Sequence, residues 1–312
     1  MNEKLIELED LPDNLGVKLE DKFRTELFDK AISIAGGVRK LSFILGCHRD
    51  SIRLWKNGAI LTKIGILKKI AEITNTDIPA IESKIVAIRS KRSNGKDFVK
   101  IKFPIFISPE LASLVGHITG DGNLSKKQFS YFNQSRELVD EVINCTKFVF
   151  SSDIDPEEFE KADGWEIEFP KNLALILKLC GVPLGEKVSQ NFQIPSWIMN
   201  GYSEIKRNYI RALFDDESFV DSSRKTIIFG MSKNQDFLDG HKKFLNNLRF
   251  LLKNLNVKAN SLHKPQRNES GSFQVQFALP NNVHNIFEFS KNIGFTNIQK
   301  VRSIAAILDK NI

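Results

Sequence analysis

Cysteine is scarce in this chain. Cys47, Cys145 and Cys180 are the only three in 312 residues, and they lie far apart. That spacing builds neither a disulfide framework nor a zinc site, and it suits free thiols in a reducing compartment. Histidine is equally sparse, with five scattered residues. No apolar run approaches the ~18 residues that a membrane helix needs. The opening MNEKLIELEDLPDN is acidic and lacks the charged-then-apolar plan of an export leader. These absences predict a cytoplasmic protein with no membrane partner. Proline is missing between Asp21 and Ile78, so nothing in that stretch interrupts helices.

What is present is a globular composition. Hydrophobic residues make up 41% of the chain, and the length suits two or three domains. The formal net charge of +7 raises the odds of an acidic partner such as nucleic acid.

Up to about residue 90, apolar positions recur at helical spacing: Leu27, Phe28 and Ile32, then Leu41, Ile44 and Leu45, then Ile64, Leu67, Ile70 and Ala71. This predicts an all-α domain over 1–90. A polar, basic stretch with Gly95 follows and reads as a linker over 91–102. Beyond it, helical runs alternate with short β-prone runs such as QFSYFN, GWEIEF, KTIIFG and SFQVQF, which gives an α+β expectation. Phenylalanine supplies much of the strand signal, with 24 residues in the chain.

This second part repeats itself. One unit runs from a helix through GDGNLSKKQFSYFNQS, a long helix, DGWEIEF and NLALILKLCGVPLGEK. The other runs from a helix through DESFVDSSRKTIIFGMS, a long helix, SGSFQVQF and VHNIFEFSKNIGFTNIQK. Asp121 and Glu217 hold the same place in each unit. A duplication of this size predicts a pseudo-two-fold domain with halves over 103–200 and 201–312.

Near the N-terminus, GGVRKLSFILGCHRDSIRLWKNG has the plan of a helix-turn-helix. VRKLSFIL forms the first helix and Gly46 stops it. In the second, Ile52 and Trp55 face inward, leaving Arg49, Asp50, Arg53 and Lys56 outside. Arginines on such a face bond guanine edges, and Lys56 reaches phosphate. The cations Lys84, Arg89, Lys91, Arg92, Lys96, Lys100 and Lys102 extend a surface that could follow a phosphate backbone, although such a run is also what a solvated linker carries.

The stretch LVGHITGDGNL places a carboxylate directly after a small, uncharged helix. Gly116 and Gly120 are four residues apart and share one helix face, where they admit a second backbone at close range. In YIRALFDDESF, Ala212 corresponds to Gly116. If the two helices pair, Asp121 and Glu217 emerge together at their ends. Two adjacent carboxylates repel unless a cation lies between them. A divalent metal there would bridge them and activate water against a phosphodiester.

At these residues the chain resembles the LAGLIDADG homing endonucleases in their single-chain, two-repeat form. LVGHITGDG matches the first signature and IRALFDDES the second. GVPLGEK, IPSWIMN, SSRKTIIFGMSKNQDFLDGHKKFLNNL and NIGFTNIQKVRSI resemble the archaeal, intein-type branch of the family. The resemblance covers about 103–312. It implies two αββαββα halves, concave sheets seated on duplex DNA, and magnesium held by Asp121 and Glu217. It implies a monomeric, site-specific, magnesium-dependent endonuclease; the alternatives on the same fold are a regulator that has lost cleavage and an intron maturase.

The chain departs from the family pattern at His117, Thr119, Asp216 and Ser218. Asp216 stands where a small residue packs against the other helix, and Asp215 adds another acid to that turn. A buried charge there costs several kcal/mol unless it is paired or tips into water. The stretch SSDIDPEEFEKADGWEIEF is acidic where the family carries a basic, DNA-facing strand, whereas NVKANSLHKPQRNESG is basic. Helper cations for cleavage are expected among Lys126, Lys127, Lys258 and Lys264, and further DNA contacts at Arg224 and Lys225.

Overall fold

The computed structural model describes residues 3–89, 99–125 and 128–309. The chain divides into two compact units, 1–106 with 149–154, and 107–148 with 155–312.

The first unit begins with β1 (Lys4–Ile6), β2 (Gly16–Leu19) and the helices α1 (Asp21–Ala35), α2 (Val38–Leu45) and α3 (Arg49–Lys56). It continues with β3 (Thr62–Lys63), α4 (Ile64–Thr74), α5 (Ile78–Glu82), β4 (Ile85–Arg89), β5 (Val99–Lys100) and β6 (Ile105–Phe106). The expected all-α domain is therefore mixed. β3, β2, β4 and β5 form one sheet in that order, and β1 pairs with β6. The helical periodicity was sound for α1 to α4. It was blind to short strands, because two to five residues carry too little pattern to register. The expected linker over 91–102 is in part a strand: β5 lies within it and pairs with β4, Ala87 opposite Lys100 and Ile88 opposite Val99. Lys91, Arg92 and Lys96 lie outside the described residues.

α2 ends at Gly46, whose φ of 64° is left-handed, and α3 starts three residues later. Leu41, Leu45, Ile52 and Trp55 are buried between the helices. Ile44, expected inside, is 52% exposed, and its neighbour Phe43 is 89% exposed.

The second unit contains two runs of the same element order. The first is α6 (Pro109–Thr119), β7 (Gly122–Leu124), β8 (Phe129–Asn133), α7 (Arg136–Val149), β9 (Glu157–Lys161), β10 (Gly164–Phe169) and α8 (Leu173–Leu179). After α9 (Ser196–Met199) comes the second: α10 (Ser203–Glu217), β11 (Ser218–Asp221), β12 (Thr226–Lys233), α11 (Leu238–Asn254), β13 (Gln266–Arg267), β14 (Phe273–Ala278) and α12 (Val283–Asn292), with α13 (Ile298–Asp309) appended. The two antiparallel sheets also share one strand order, β7-β8-β10-β9 and β11-β12-β14-β13.

The central strands of each sheet bury one side against the helices. Phe129, Tyr131, Ile167 and Phe169 fill one side of the first sheet, and Ile227, Phe229, Val275 and Phe277 fill that side of the second. The phenylalanines pack as rings: Phe129 against Phe169 at 4.5 Å between centroids, and Phe214 against Phe229 at 4.9 Å.

Candidate functional site

The centre of the second unit is the crossing of α6 and α10. Ser108 caps α6 by accepting the Leu111 N–H at 3.1 Å, and Pro109 occupies its first turn. Every residue from Leu111 to Thr119 is buried, so the helix is almost wholly apolar or small and any charge on it needs a partner inside the protein. A Cβ on Gly116 would lie 2.7 Å from the Ala212 Cβ and 2.8 Å from the Tyr209 carbonyl oxygen. One on Gly120 would lie 2.6 Å from Asp216 Oδ2. The two glycines and Ala212 thus meet where the backbones approach closest.

Asp121 follows Gly120, the residue that terminates α6, and Glu217 is the last residue of α10. Crowding by protein pushes the Asp121 pKa up to about 8, with the charges of Asp216 and Glu217 adding to the rise. Asp121 is solvent-exposed as a residue, so hydration tempers the size of that rise but not its direction. Burial raises Glu217 to about 7, with Lys187, Lys300 and Lys233 opposing and Asp216 adding. The Glu217 carboxylate makes no hydrogen bond or ion pair among the described residues, whereas Asp121 Oδ2 accepts Asn133 Nδ2 at 2.9 Å.

Asp216, placed at a contact that favours a small side chain, is neither unpaired nor tipped into water. Its side chain is fully buried. It accepts Tyr131 Oη at 2.7 Å and the Asp121 N–H at 3.3 Å, and His117 Nδ1 lies 3.1 Å away. The missing side chain of Gly120 makes the room. Burial disfavours the His117 imidazolium, but Asp216 and Glu141 outweigh it and push its pKa up to about 10. His117 Nε2 stands 3.7 Å from Glu141, which Ser113 Oγ also holds at 2.6 Å. A charged imidazolium between two carboxylates offsets a desolvation cost that a lone buried acid would bear in full. Asp215 has a separate role: it accepts the N–H groups of Thr296 and Asn297 at 2.9 and 3.0 Å, ahead of α13.

Two lysines that sequence reasoning missed stand at the ends of the crossing helices. Lys187 Nζ donates to the Gly120 carbonyl and, at 3.4 Å, to that of Ile118. Lys300 Nζ donates to the carbonyls of Phe214, Asp215 and Ser218 at 3.0, 2.5 and 2.5 Å. Each satisfies the orphan carbonyls of a helix C-terminus and sits favourably on its dipole. Burial lowers both ammonium pKa values, while the acids around them oppose that fall. The signal was present: Gly181 precedes Lys187 by the same interval as Gly294 precedes Lys300, at matching places in the two repeats. The cations expected to help were others. Lys126 and Lys127 lie outside the described residues, and Lys258 and Lys264 are exposed. Neither of these two is among the charges that chiefly shift Asp121 or Glu217.

Alongside Asp121 runs a cleft of about 810 Å³, lined by Asn133, Trp165, Asp216, Ser218 and Lys300 among others. The donors that face a cation here are hard carboxylate oxygens, the set that magnesium, manganese and calcium take. Burial is the main cause of the raised proton affinity of both acids, with Asp216 adding to each; oxygen donors held in so poorly solvated a place fit a divalent ion. No cluster of three metal-ligating side chains occurs among the described residues; such an ion would take its remaining ligands from backbone, water or substrate.

The other expected contact residues scatter. In the first unit Arg49 and Arg53 are exposed, with Arg53 3.4 Å from Asp50. Lys56 is paired with Asp29 on α1 at 2.5 Å. Arg224 is exposed and lies 3.5 Å from Asp221, and Lys225 is half-buried in the same turn. The acidic stretch is partly neutralised: Asp153 pairs with Lys100, Asp155 with Lys147, Glu158 with Arg136 and Glu166 with Lys161. Cross-strand register aligns Ser130, Glu168 and Glu157, and likewise Phe132, Glu166 and Phe159, on the sheet side away from buried Tyr131 and Ile167.

No protein-family model matches the sequence. Among curated proteins, the chain is similar to part of a glutamine–fructose-6-phosphate aminotransferase of Methanocaldococcus jannaschii, 26% identical over 213 residues covering 67% of this chain and 18% of that protein. It is also similar to part of the RNA polymerase subunit Rpo1N of that organism, 22% identical over 62% of this chain and 16% of the subunit. A third similarity is to the tRNA-splicing ligase RtcB of Pyrococcus furiosus, 28% identical over 37% of this chain and 12% of the ligase. The chain thus spans less than a fifth of the length of these relatives. Among solved structures it is similar to the homing endonuclease I-DmoI in complex with DNA and Ca (TM-score 0.43, 13% identity, 63% of this chain and 97% of that one). It is likewise similar to DUF199/WhiA from Thermatoga maritima (TM-score 0.42, 14% identity, 67% of this chain and 63% of that one).

Proposed function

We propose that the chain is a two-repeat LAGLIDADG protein that cleaves duplex DNA at a specific site with a divalent metal, magnesium in the cell. The observation that carries this reading is the α6–α10 crossing, which ends in Asp121 on one helix and Glu217 on the other, with Lys187 and Lys300 on the carbonyls beside them. Asp121 and Glu217 would hold the ion, which would supply charge neutralisation and make water a stronger acid. Lys187 and Lys300 keep positive charge next to the acids, where a scissile phosphate adds further negative charge. The α2–α3 pair reads DNA through Arg49 and Arg53 as a helix-turn-helix. Lys258 and Lys264, with Arg224, Lys225 and the lysines 126 and 127, add phosphate contacts, and the protein acts as a monomer.

The curated similarities bear on this reading through their diversity. Segments that together exceed the chain, and so overlap, are similar to an aminotransferase and to a polymerase subunit, whose activities have nothing in common. We read the shared part as an element carried by unrelated proteins rather than as either activity, and infer a homing, intein-type origin for it.

Incubation with magnesium and a library of long duplexes is expected to yield staggered ends at one sequence. Asp121→Asn or Glu217→Gln should abolish cutting while DNA stays bound. A second reading, a DNA-binding regulator without cleavage, draws on Glu157, Glu166 and Glu168, which share one side of the first sheet and would repel a phosphate backbone there. Specific binding with no cleavage in magnesium or manganese would replace the first reading with the second.

A further inference from the structure

The two halves are inequivalent beside the two acids. The register sets Tyr131 opposite Gly122 and Phe229 opposite Ser218, so Tyr131 corresponds to Phe229 and Asn133 to Met231. Counting back from the two acids, His117 corresponds to Leu213. The first half therefore carries three polar side chains where the second carries three apolar ones.

These polar groups connect. Tyr131 Oη donates to Asp216 Oδ1 at 2.7 Å, Asn133 Nδ2 donates to Tyr131 Oη at 3.2 Å and to Asp121 Oδ2 at 2.9 Å. The side-chain oxygen Asn133 Oδ1 accepts the Ser135 N–H at 2.9 Å, which turns the side-chain amide nitrogen toward Asp121. Asp216 Oδ2 also accepts the Asp121 N–H at 3.3 Å. One acid of the second half thus holds both the backbone and, through two side chains, the carboxylate of Asp121. Glu217 has no such support.

We propose that Asp216, Tyr131 and Asn133 form a positioning bridge across the two halves that orients Asp121 as the anchored ligand of the divalent ion. The proposal rests on the metal-site reading above and deepens it. The three bridge residues would act through Asp121 and not as ligands themselves. They act by holding one oxygen of Asp121 in an N–H hydrogen bond and leaving the other free. Groups that orient a metal ligand typically contribute 10–100-fold in metal affinity.

The test is Mn²⁺ binding to the full chain without DNA, read from the electron paramagnetic resonance signal of free Mn²⁺. The proteins are the wild type, Asp121→Asn, Tyr131→Phe and Asn133→Ala. Phenylalanine is the residue the second half carries at the matching position, so Tyr131→Phe is compatible with the packing, and metal-free melting temperatures check each fold. Expected is a loss of affinity in Asp121→Asn and a 10–100-fold weakening in both Tyr131→Phe and Asn133→Ala. If Asp121→Asn loses Mn²⁺ while the other two bind like the wild type, even with lowered melting temperatures, the bridge is structural only and the proposal is overturned. If the wild type binds no Mn²⁺, or Asp121→Asn binds it equally well, the metal-site reading itself falls and takes the proposal with it.

Discussion

Gly116→Ala puts one methyl group into the close crossing of α6 and α10. The added Cβ would stand 2.7 Å from the Ala212 Cβ and 2.8 Å from the Tyr209 carbonyl oxygen. Carbon atoms rest at about 3.5–4.0 Å, so the helices must part by roughly 1 Å. One of the two obstacles is backbone, which no rotamer change relieves. Overpacking of this kind costs about 1–3 kcal/mol, and alanine returns about 1 kcal/mol of helix propensity relative to glycine. With a backbone obstacle the cost belongs to the upper part of that range, about 2–3 kcal/mol, and the net expectation is a loss of about 1–2 kcal/mol. At about 2–4 °C per kcal/mol for a domain of this size, Tm should fall by roughly 2–8 °C. Ala212→Gly in the same chain removes one obstacle and leaves the Tyr209 carbonyl, so the double variant should recover only part of the loss, which a double-mutant cycle reads as coupling. Because Asp121 sits five residues beyond Gly116, Mn²⁺ affinity should fall together with stability. Thermal and urea unfolding measure the first, and the free Mn²⁺ signal the second. A Gly116→Ala protein as stable as the wild type, with unchanged Mn²⁺ affinity, would refute the close crossing.

Three other perturbations test the same site. Asp121 and Glu217 have pKa values raised in the folded state, to about 8 and about 7. Their contribution is therefore present below the unfolded carboxylate range and is lost as pH rises through those values. Metal-free Tm should fall from about pH 5 to about pH 9, and fall less steeply in Asp121→Asn; a pH-independent difference between the two proteins would contradict the assignment. His117→Leu leaves Asp216 and Glu141 buried without their shared cation, a loss of about 3–5 kcal/mol in urea unfolding. The double variant with Asp216→Ala should be milder than His117→Leu alone, and an additive result would dissolve the pair. For the first unit, Arg49→Ala and Arg53→Ala should each cost about 1–3 kcal/mol of specific DNA affinity and relax sequence preference, as read by competition binding. Lys56→Ala should act evenly across sequences, and because Asp29 already holds Lys56 its effect should be the smaller. Unchanged binding in all three would assign that surface to protein contacts.

Some of this was legible in the residues alone. Helices α1 to α4 and the repeated element order follow from periodicity, since a 3.6-residue apolar stripe and a two-residue alternation are local properties. Gly116, Gly120 and Ala212 were readable as a contact because small residues four apart announce a close helix neighbour. The strands of the first unit were not legible, because β3 and β5 are two residues each and acquire their conformation from their partners.

Asp216 shows where local reading stops. From the sequence it is a charge in a helix contact, a defect costing several kcal/mol. Its stabilisation comes from His117 and Tyr131, which are 99 and 85 residues away in sequence. Lys187 and Lys300 had a visible signal in their matched spacing from glycine. Their roles depended on which carbonyls ended up unpaired, and chain-end carbonyls of a helix become identifiable only once its termination is set. The sequence by itself determined the repeat, the two acids and the small-residue faces, because these are encoded in spacing and residue type. Only the tertiary structure decided that Asp216 is anchored, that Lys187 and Lys300 attend the acids, and that Asn133 holds Asp121. Those facts depend on groups distant in the chain meeting in a buried, weakly screened space, where a few ångströms decide whether a charge is a cost or a ligand.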